Sequence, residues 1–340
     1  MLREDRARSL LREHFGELSN LHLETRELRG GLESHAVLRA VARFRDAEGR
    51  PRSWSWVVKR VSETRRREVT VYRRLPPGGG VLHYAPELLA IEDEDDGGAV
   101  LHLEWIRPVR RWPWEDMGTA KRVTGRLAQI HWDVDAQLGA TELPPWDYEG
   151  ELAWSAAATV ETVEQLPDDD ALRPIRRGLP AVRRMAEAAP RIRQEIACWD
   201  RGSQVWIHGD LHPGNVLLRR TRGQSEPVLL DWGRVRRGSR LEDLSSWVLS
   251  LTHWVPEARR RHDTLLRKYL EGSGGAGRLG GGFRDAYWLA GACNALAGAL
   301  RYQIVMACES PSEVQRSKAL TAAHRWMRTV RRADACFGWS

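Results

Sequence analysis

The sequence predicts an α+β protein of two lobes, in which a small antiparallel β-sheet with one key helix precedes a larger, mainly helical part. The chain has 340 residues, a length that suits two cores better than one. Its first hundred residues contain short segments of partly alternating polarity, whereas apolar residues recur at helical spacing after about Ile106. We therefore expect a first lobe over residues 1–106 and a second over residues 107–340.

Five strands and one helix are predicted in the first lobe. Glycine-containing turns join the first two strands, at Gly30 to Ser34, and the last two, at Asp95 to Gly98. Between them Val69, Tyr72 and Leu75 recur at helical spacing, which indicates a helix that the following Pro-Pro-Gly run stops. In chain order we expect strands His22–Arg29, Ala36–Arg45 and Ser53–Val61, helix Glu63–Leu75, and strands Leu88–Glu92 and Ala99–Trp105.

The second lobe is predicted to be helical except for one strand–loop–strand unit. Apolar stripes such as Val123, Leu127 and Ile130 indicate the helices, and Gly272 to Gly282 reads as a flexible loop. The expected elements are helix Thr119–Trp132, several helical pieces within Glu161–Cys198, strands Val205–Ile207, Asn215–Leu218 and Pro227–Leu230, and helices Leu241–Leu251, Glu257–Leu270, Phe283–Val305 and Glu313–Arg332.

The charge pattern argues against a nucleic-acid partner. There are 53 basic and 46 acidic residues, a formal net charge of +7. A basic excess can favour phosphate backbones, but here the arginines are dispersed and mixed with acids, as where Arg65 to Arg67 runs into Glu68. Solvated helix faces explain this pattern. We expect no nucleic-acid partner, and no obligate protein partner is evident.

Cysteine usage and hydropathy indicate a soluble cytoplasmic protein. The four cysteines are scattered and form no Cys-x-x-Cys pair, which is typical of reduced thiols. The residues after Met1 lack the apolar stretch of a signal peptide. The longest notable uncharged run, Ala286 to Leu300, is shorter than the roughly 20 residues that span a bilayer. We therefore expect no membrane association.

The strongest chemical signal is the stretch His208 to Asn215, HGDLHPGN, followed by Asp231-Trp-Gly at the end of an apolar strand. Phosphoryl transfer needs a carboxylate that orients or accepts the proton of the acceptor hydroxyl, and oxygen ligands for Mg²⁺. Asp210 suits the first role, and Asn215 and Asp231 suit the second. An ordinary Asx-rich loop is the alternative, but both motifs in this order and spacing favour the chemistry.

A zinc site is the other interpretation of the same stretch. His208 and His212 could both ligate zinc, but no further His or Cys cluster lies close in sequence to complete a coordination shell. We expect His208 to pack in the loop and to hydrogen-bond the backbone.

A site of this kind also requires a lysine on the third strand, ion-paired to a glutamate of the next helix, to hold the nucleotide phosphates. Lys59 meets that requirement in a chain with only four lysines. An isolated strand lysine is usually an edge charge, but the downstream motifs favour the functional interpretation. Glu68 is the expected partner, with Glu63 of the same predicted helix as the alternative.

Two further segments are candidate nucleotide contacts. Backbone N–H groups at Gly30 and Gly31, with the hydroxyl of Ser34, could cap phosphates in the turn between the first two strands. Backbone groups from Glu104 to Ile106, at the end of the last strand, could hydrogen-bond an adenine. Paired glycines in a turn are also commonplace, and Trp105 is equally suited to hinge packing.

Together these residues resemble the aminoglycoside phosphotransferase family, within the kinase-like phosphotransferases of small molecules. The resemblance extends over roughly Leu21 to Leu251 and is most specific at His208 to Asn215 and at Asp231 to Gly233. It implies a two-lobed protein-kinase-like fold that uses ATP or GTP and Mg²⁺. The roles it implies are Asp210 as catalytic base, Asn215 and Asp231 as Mg²⁺ ligands, Lys59 with Glu68 as phosphate-holding pair, and Asp243 as a brace of the catalytic loop.

The sequence departs from this family pattern near the expected acceptor site. Trp232 stands where phenylalanine is common, and the segment after Gly233 lacks the usual Asp-Pro. Kinases of polycationic aminoglycosides line their pockets with carboxylates, whereas residues 283–340 hold few acids and many arginines. Carboxylates that could still reach the acceptor are those of Asp133, Asp135, Glu149, Glu151 and Asp168 to Asp170.

The expected function is transfer of the γ-phosphate of ATP or GTP to a hydroxyl of a small molecule, such as an aminoglycoside-like antibiotic, a sugar or an amino alcohol. Two alternatives come from other classes. A catalytically silent nucleotide-binding regulator is disfavoured because Lys59, Asp210 and Asp231 are all present. A protein kinase is disfavoured because no Ala-Pro-Glu segment follows Asp231-Trp-Gly233.

Overall fold

The fold is α+β, as the sequence predicts. A computed structural model describes residues 2–28, 37–74, 84–108, 113–199, 204–221, 224–273 and 279–338. The chain forms two compact units. The first contains Met1–Arg110, Ala136–Pro144 and Asn215–Val235, and the second contains Arg111–Asp135, Pro145–Gly214 and Arg236–Ser340. The division into lobes at residue 106 stays a prediction.

The first unit is built on an antiparallel sheet whose five strands confirm the predicted ones. The strands are β1 (Ser19–Leu28), β2 (Val37–Arg45), β3 (Pro51–Val61), β4 (Leu88–Asp93) and β5 (Ala99–Glu104). They lie in the sheet in the order β1-β2-β3-β5-β4. Trp56, Val58 and Phe44 belong to the hydrophobic core that covers one face.

Two helices and a hairpin complete the first unit. Helix α1 (Glu4–Phe15) was not predicted, and it packs on the sheet core through Leu10 and Leu11. Helix α2 (Arg66–Arg74) follows a 3-10 turn at Glu63–Arg65, which confirms a helix in this region. The hairpin of β7 (Val216–Thr221) and β8 (Gln224–Leu229) is antiparallel and also belongs to this unit.

Helices dominate the rest of the chain. The short strands β6 (Val205–Ile207) and β9 (Arg236–Gly238) pair antiparallel in the second unit, and β9 was not predicted. The helices are α3 (Met117–Leu138), α4 (Tyr148–Glu164), α5 (Arg173–Arg176), α6 (Leu179–Glu187), α7 (Ala189–Trp199), α8 (Arg240–Trp254), α9 (Pro256–Arg260), α10 (His262–Gly272), α11 (Gly281–Asn294), α12 (Leu300–Glu309) and α13 (Glu313–Cys336).

Two long helices predicted from the sequence are interrupted. The predicted helix Glu257–Leu270 breaks between α9 and α10 at Arg261, whose φ of −105° and ψ of 24° are not helical. The predicted helix Phe283–Val305 contains a π-helical turn at Ala295–Ala299, where Gly298 has a φ of 127°. Glycine allows this conformation because it has no Cβ. In the described part of the chain, no helix has the length and apolar character needed to cross a membrane.

Candidate active site

An ion pair links β3 to α2 in the first unit. Lys59 Nζ lies 2.9 Å from Oε1 and 2.7 Å from Oε2 of Glu68, and the Glu68 carboxylate is buried. Strand β3 directs Lys59 toward α2, and the first turn of α2 carries Glu68. The structure therefore pairs Lys59 with Glu68, as the sequence predicts, rather than with Glu63.

Asp231 reaches the same ammonium group. Its Oδ1 lies 2.9 Å from Lys59 Nζ, and its side chain is 44% exposed, compared with 12% for Lys59. Burial alone would lower the pKa of Lys59, but the carboxylates of Glu68 and Asp231 raise it above its ordinary value. Lys59 is thus held as a cation beside an accessible carboxylate.

Asp231 has a strained backbone. Its φ of 63° and ψ of 66° place it in the left-handed region, which residues other than glycine seldom occupy. Such conformations persist where the surroundings fix them, and they are concentrated at functional sites. Here the strain lies at the turn between β8 and the short 3-10 segment Trp232–Arg234.

Asn215 and Asp231 lie at the same end of the β7–β8 hairpin. The register pairs Val216 with Leu229, and Leu230 N–H donates to the carbonyl of Asn215 at 2.8 Å. One amide and one carboxylate supply the hard oxygen donors that Mg²⁺ prefers. Among the described residues, no cluster of three or more His, Cys, Asp or Glu could hold a metal ion.

The candidate catalytic loop, residues 208–215, begins in the second unit, where Asp243 of α8 holds its backbone. The buried Asp243 carboxylate accepts from the N–H groups of His208 (2.7 Å) and Gly209 (2.9 Å) and lies 3.1 Å from His131 Nε2. Burial raises the pKa of Asp243, but hydrogen bonds from His131 and Gly209 outweigh it and lower that pKa below its usual value. An ionised Asp243 only accepts, so His131 Nε2 donates to it, and His131 Nδ1 lies 2.8 Å from the hydroxyl oxygen of Tyr269.

Asp210 lies in the middle of this loop. Its N–H donates to His208 Nδ1 at 3.3 Å, which confirms that His208 hydrogen-bonds the backbone. The carboxylate of Asp210 is 40% exposed, and Oδ1 lies 4.0 Å from His212 Nε2. His212 Nδ1 accepts from the N–H of Gly214 at 3.0 Å. The loop thus presents an accessible carboxylate on a backbone that its own histidines help to fix.

Comparison with known proteins identifies the family. The sequence profile of the phosphotransferase enzyme family, APH, matches residues 24–281, well over half of the chain. The chain belongs to this family. No curated protein matches this phosphotransferase significantly.

Solved structures share its fold at low sequence identity. Spectinomycin phosphotransferase in complex with ADP and spectinomycin has a TM-score of 0.56 and 11% identity and covers 99% of both chains. The GDP complex of aminoglycoside 2′-phosphotransferase-IIIa has a TM-score of 0.53 and 13% identity, with 98% of this chain and 99% of that chain covered. Plasmodium vivax ethanolamine kinase has a TM-score of 0.51 and 10% identity, with 88% and 80% covered. These similarities establish a kinase-like fold for this phosphotransferase.

The other predicted nucleotide contacts are the segment Glu104 to Ile106 and the turn that contains Gly30, Gly31 and Ser34. The N–H of Glu104 donates to the carbonyl of Glu87 at 2.8 Å, and its carboxylate pairs with Arg219. Ile106 is buried. Gly30, Gly31 and Ser34 lie outside the described residues.

Sequence reasoning missed two residues that support the catalytic loop. His131 lies four residues after Leu127 on the apolar stripe of α3. A histidine on a stripe of otherwise apolar residues was the sequence feature that could have indicated its role. Arg236 donates to the carbonyl of Gly209 at 3.1 Å. In so arginine-rich a chain, no sequence signal distinguishes it.

Proposed function

We propose that this phosphotransferase transfers the γ-phosphate of ATP or GTP to a hydroxyl group of a small molecule. The observation that carries this proposal is the cluster in the first unit, where Lys59 bonds both Glu68 and Asp231, and Asn215 lies at the same hairpin end as Asp231. Lys59 binds the α- and β-phosphates, and backbone groups from Glu104 to Ile106 bind the base. Asp210 is the catalytic base.

Lys59 has three N–H donors, and the structure provides three carboxylate oxygens for them, two from Glu68 and one from Asp231. Glu68 is buried and keeps the ammonium in place. Asp231 is the more exposed partner, so an arriving phosphate takes its position as the third acceptor. Exchange of this one bond would let Lys59 hold the nucleotide and would leave the Asp231 carboxylate available to hold a metal ion.

Asn215 and Asp231 would hold Mg²⁺. An ion held there would supply positive charge that offsets the negative charge developing on the phosphates during transfer. Asp210 orients the acceptor hydroxyl and accepts its proton as the oxygen–phosphorus bond forms and the bond between the β- and γ-phosphates breaks. The electron pair of that bond leaves with the nucleoside diphosphate.

The charges of the second unit favour an acceptor with at most one positive charge over a polycation. Sequence analysis named several carboxylates that could reach an acceptor, and four of them bond arginines instead. The pairs are Asp135 with Arg237 (2.5 Å), Glu149 with Arg193 (3.2 Å), Asp168 with Arg176 (2.5 Å) and Asp170 with Arg173. Two others bond polar groups, Asp133 with Gln129 and Glu151 with Trp146. We therefore propose a hydroxylated metabolite, sugar or amino alcohol ahead of an aminoglycoside, used in the cytoplasm.

A nucleotide-consumption screen tests the proposal. Purified protein is given ATP or GTP with Mg²⁺ and each of several acceptors: aminoglycosides, macrolides, amino alcohols and sugars. We expect acceptor-stimulated release of nucleoside diphosphate that stops with EDTA and returns with added Mg²⁺ or Mn²⁺. Turnover that survives exhaustive chelation would refute the metal assignment. Tight nucleotide binding without transfer to any acceptor would favour the alternative, a catalytically silent regulator.

A further inference from the structure

A buried arginine contacts the catalytic loop of this phosphotransferase. Arg236 of β9 is almost fully buried, and its Nη1 donates to the carbonyl of Gly209 at 3.1 Å. Its Nη2 lies 2.5 Å from Glu242 Oε2, and its guanidinium carbon lies 3.8 Å from the centroid of the Tyr148 ring. All of these residues belong to the second unit. One side chain thus joins the loop, the first turn of α8 and the start of α4.

The carbonyl that Arg236 holds belongs to the peptide group directly before Asp210. That peptide is held on both sides, because the N–H of Asp210 donates to His208 Nδ1. Gly209 has a φ of 82°, in the left-handed region that glycine adopts readily, and its lack of a Cβ means that no side chain restricts rotation of the following peptide. Rotation of this peptide would change φ of Asp210 and, with it, the direction of the Asp210 side chain. The two hydrogen bonds therefore set the direction of the Asp210 carboxylate.

We propose that Arg236 is a positioning residue for phosphoryl transfer, which fixes the peptide between Gly209 and Asp210 and thereby aims the catalytic carboxylate. This inference rests on the proposed function, because it assigns the base role to Asp210. Arg236 itself touches no reacting atom and acts through the loop.

The surroundings of Arg236 keep its guanidinium from turning. Glu242 Oε1 accepts from Ser239 N–H at 3.0 Å, so the carboxylate that holds Arg236 also caps α8. The Tyr148 ring is contacted by a second guanidinium, that of Arg193, at 4.6 Å. Burial alone would lower the pKa of Arg236, but the nearby Tyr148 and Glu242 raise it, so the group stays charged.

Stability alone is a weak reason for such a pair. Removing two charges from water costs about as much as their attraction returns, and apolar residues often replace a buried ion pair without loss. What an apolar pair cannot do is donate a hydrogen bond to the carbonyl of Gly209 in a fixed direction. Planar guanidinium geometry supplies that donor and the bond to Glu242 together.

A double variant separates positioning from folding. Arg236→Met combined with Glu242→Gln removes the guanidinium without leaving an unpaired buried charge, and glutamine can still accept from Ser239 N–H. The matched control is Arg237→Met, on the same strand, which loses an ion pair with Asp135 and a hydrogen bond to the carbonyl of Gln204. Each protein is tested for thermal unfolding, ATP and GTP affinity, hydrogen exchange of residues 207–214, and Mg²⁺-dependent hydrolysis or transfer.

In the double variant we expect nucleotide affinity to stay at the wild-type level and exchange of the loop amides to accelerate about tenfold or more. Turnover should fall about 10- to 100-fold, the effect of a misplaced catalytic group. The Arg237→Met control should match wild type in nucleotide affinity, in exchange of the loop amides and in turnover. Arg236→Lys keeps the charge beside Glu242, but an ammonium group lacks the planar geometry that lets arginine bond Glu242 and the carbonyl of Gly209 together. The turnover of this variant should therefore lie between those of wild type and the double variant.

A folded double variant with wild-type loop exchange and turnover would overturn the proposal, as would an equal loss of turnover in Arg237→Met. The proposed function fails separately, if the wild-type protein neither hydrolyses ATP or GTP nor transfers phosphate to any acceptor. In that case the exchange of residues 207–214 still decides whether Arg236 fixes the loop.

Discussion

At the residue scale, the surroundings of Lys59 explain why this position holds a lysine. Lys59 donates to two carboxylates that come from α2 and from the turn after β8. An arginine would not fit this position in the same way, because a guanidinium group is larger than an ammonium group and presents its donors in fixed directions. This agrees with the presence of a lysine in a chain where nearly all other cations are arginines.

Lys59→Met should weaken nucleotide binding. The substitution removes a charge-assisted bond to the phosphates, and a loss of about 10- to 100-fold in affinity is expected for such a bond. Calorimetric titration with ATP and GTP measures it. Lys268→Met is the matched control, because it removes the exposed pair with Glu271 on α10. Equal affinities in wild type and Lys59→Met would contradict the assignment of Lys59.

His253 makes the stability of the fold depend on pH. Burial, together with Arg325 and Arg328, lowers the pKa of His253 to about 3. An unfolded chain binds a proton at this histidine near pH 6.5, whereas the folded chain does not. Stability is therefore fully present above about pH 6.5 and falls as the pH drops toward about 3, by about 1 kcal/mol per pH unit from this group.

His253→Phe should flatten that dependence. Phenylalanine keeps an aromatic ring against Trp326, whose ring centroid lies 4.9 Å from that of the imidazole in an edge-to-face arrangement. Within the described part of the chain, His253 Nε2 has no hydrogen-bond partner to lose. Urea unfolding at pH 7 and pH 5 measures the free-energy difference in both proteins. The exposed His22→Gln serves as control and should keep the wild-type difference. An unchanged pH dependence in His253→Phe would show that His253 takes up its proton in the folded state.

Sequence reasoning could predict the role of a residue that lies in a recognisable motif. It could not predict a role that depends on contacts with residues far away in the sequence. Asp210, Asn215 and Asp231 lie in short motifs whose spacing suits phosphoryl transfer. His131 and Arg236 support the same loop, but they do so from α3 and β9, across long separations in sequence. Their contacts arise only when the helices pack.

At the element scale, α8 connects the fold to the candidate site. Ser239 and Glu242 form a reciprocal capping box at its start, and the next residue, Asp243, holds the catalytic loop. Asn294 of α11 donates to the carbonyl of Glu242 at 2.9 Å and ties the same turn to a second helix. The loop is therefore held by a helix turn that is itself capped and bonded to α11.

Ser239→Ala should destabilise the protein. Loss of an N-cap hydroxyl typically costs about 0.5–2 kcal/mol of the free energy of unfolding. Chemical denaturation monitored by circular dichroism measures the change. Ser317→Ala, at an exposed position inside α13, is the control and should stay close to wild type. Equal stability of the two variants would show that the capping box contributes little.

Elements with a clear apolar period or clear flanking turns were predictable, whereas helices α1 and α4, strand β9 and the interruptions of two long helices were not. The five strands of the first sheet alternate in polarity or follow clear turns, and all five are confirmed. Helix α1 is short and highly charged, and its apolar stripe of Ala7, Leu10 and Leu11 gains meaning only against the sheet. The π-helical turn around Gly298 changes the backbone without changing the apolar pattern, so periodicity cannot reveal it.

At the scale of the whole molecule, the candidate site residues are divided between the two compact units. Asp210 belongs to the second unit, whereas Lys59, Glu68, Asn215 and Asp231 belong to the first. The chain passes from one to the other between Gly214 and Asn215, so the catalytic loop itself spans the division. Sequence order alone predicts one boundary between two continuous lobes. It does not indicate that residues 215–235 belong to the same compact unit as residues 1–110.

The measurement that tests the central proposal most directly compares turnover and nucleotide affinity in Asp210→Asn. Asparagine keeps the size of the side chain but cannot accept the proton of the acceptor hydroxyl. We predict that transfer of the γ-phosphate falls about 100- to 10,000-fold, the usual contribution of a general base, while ATP and GTP bind as they do to wild type. Wild-type transfer by a folded Asp210→Asn protein, or loss of its nucleotide binding, would contradict the assignment of Asp210 as the base.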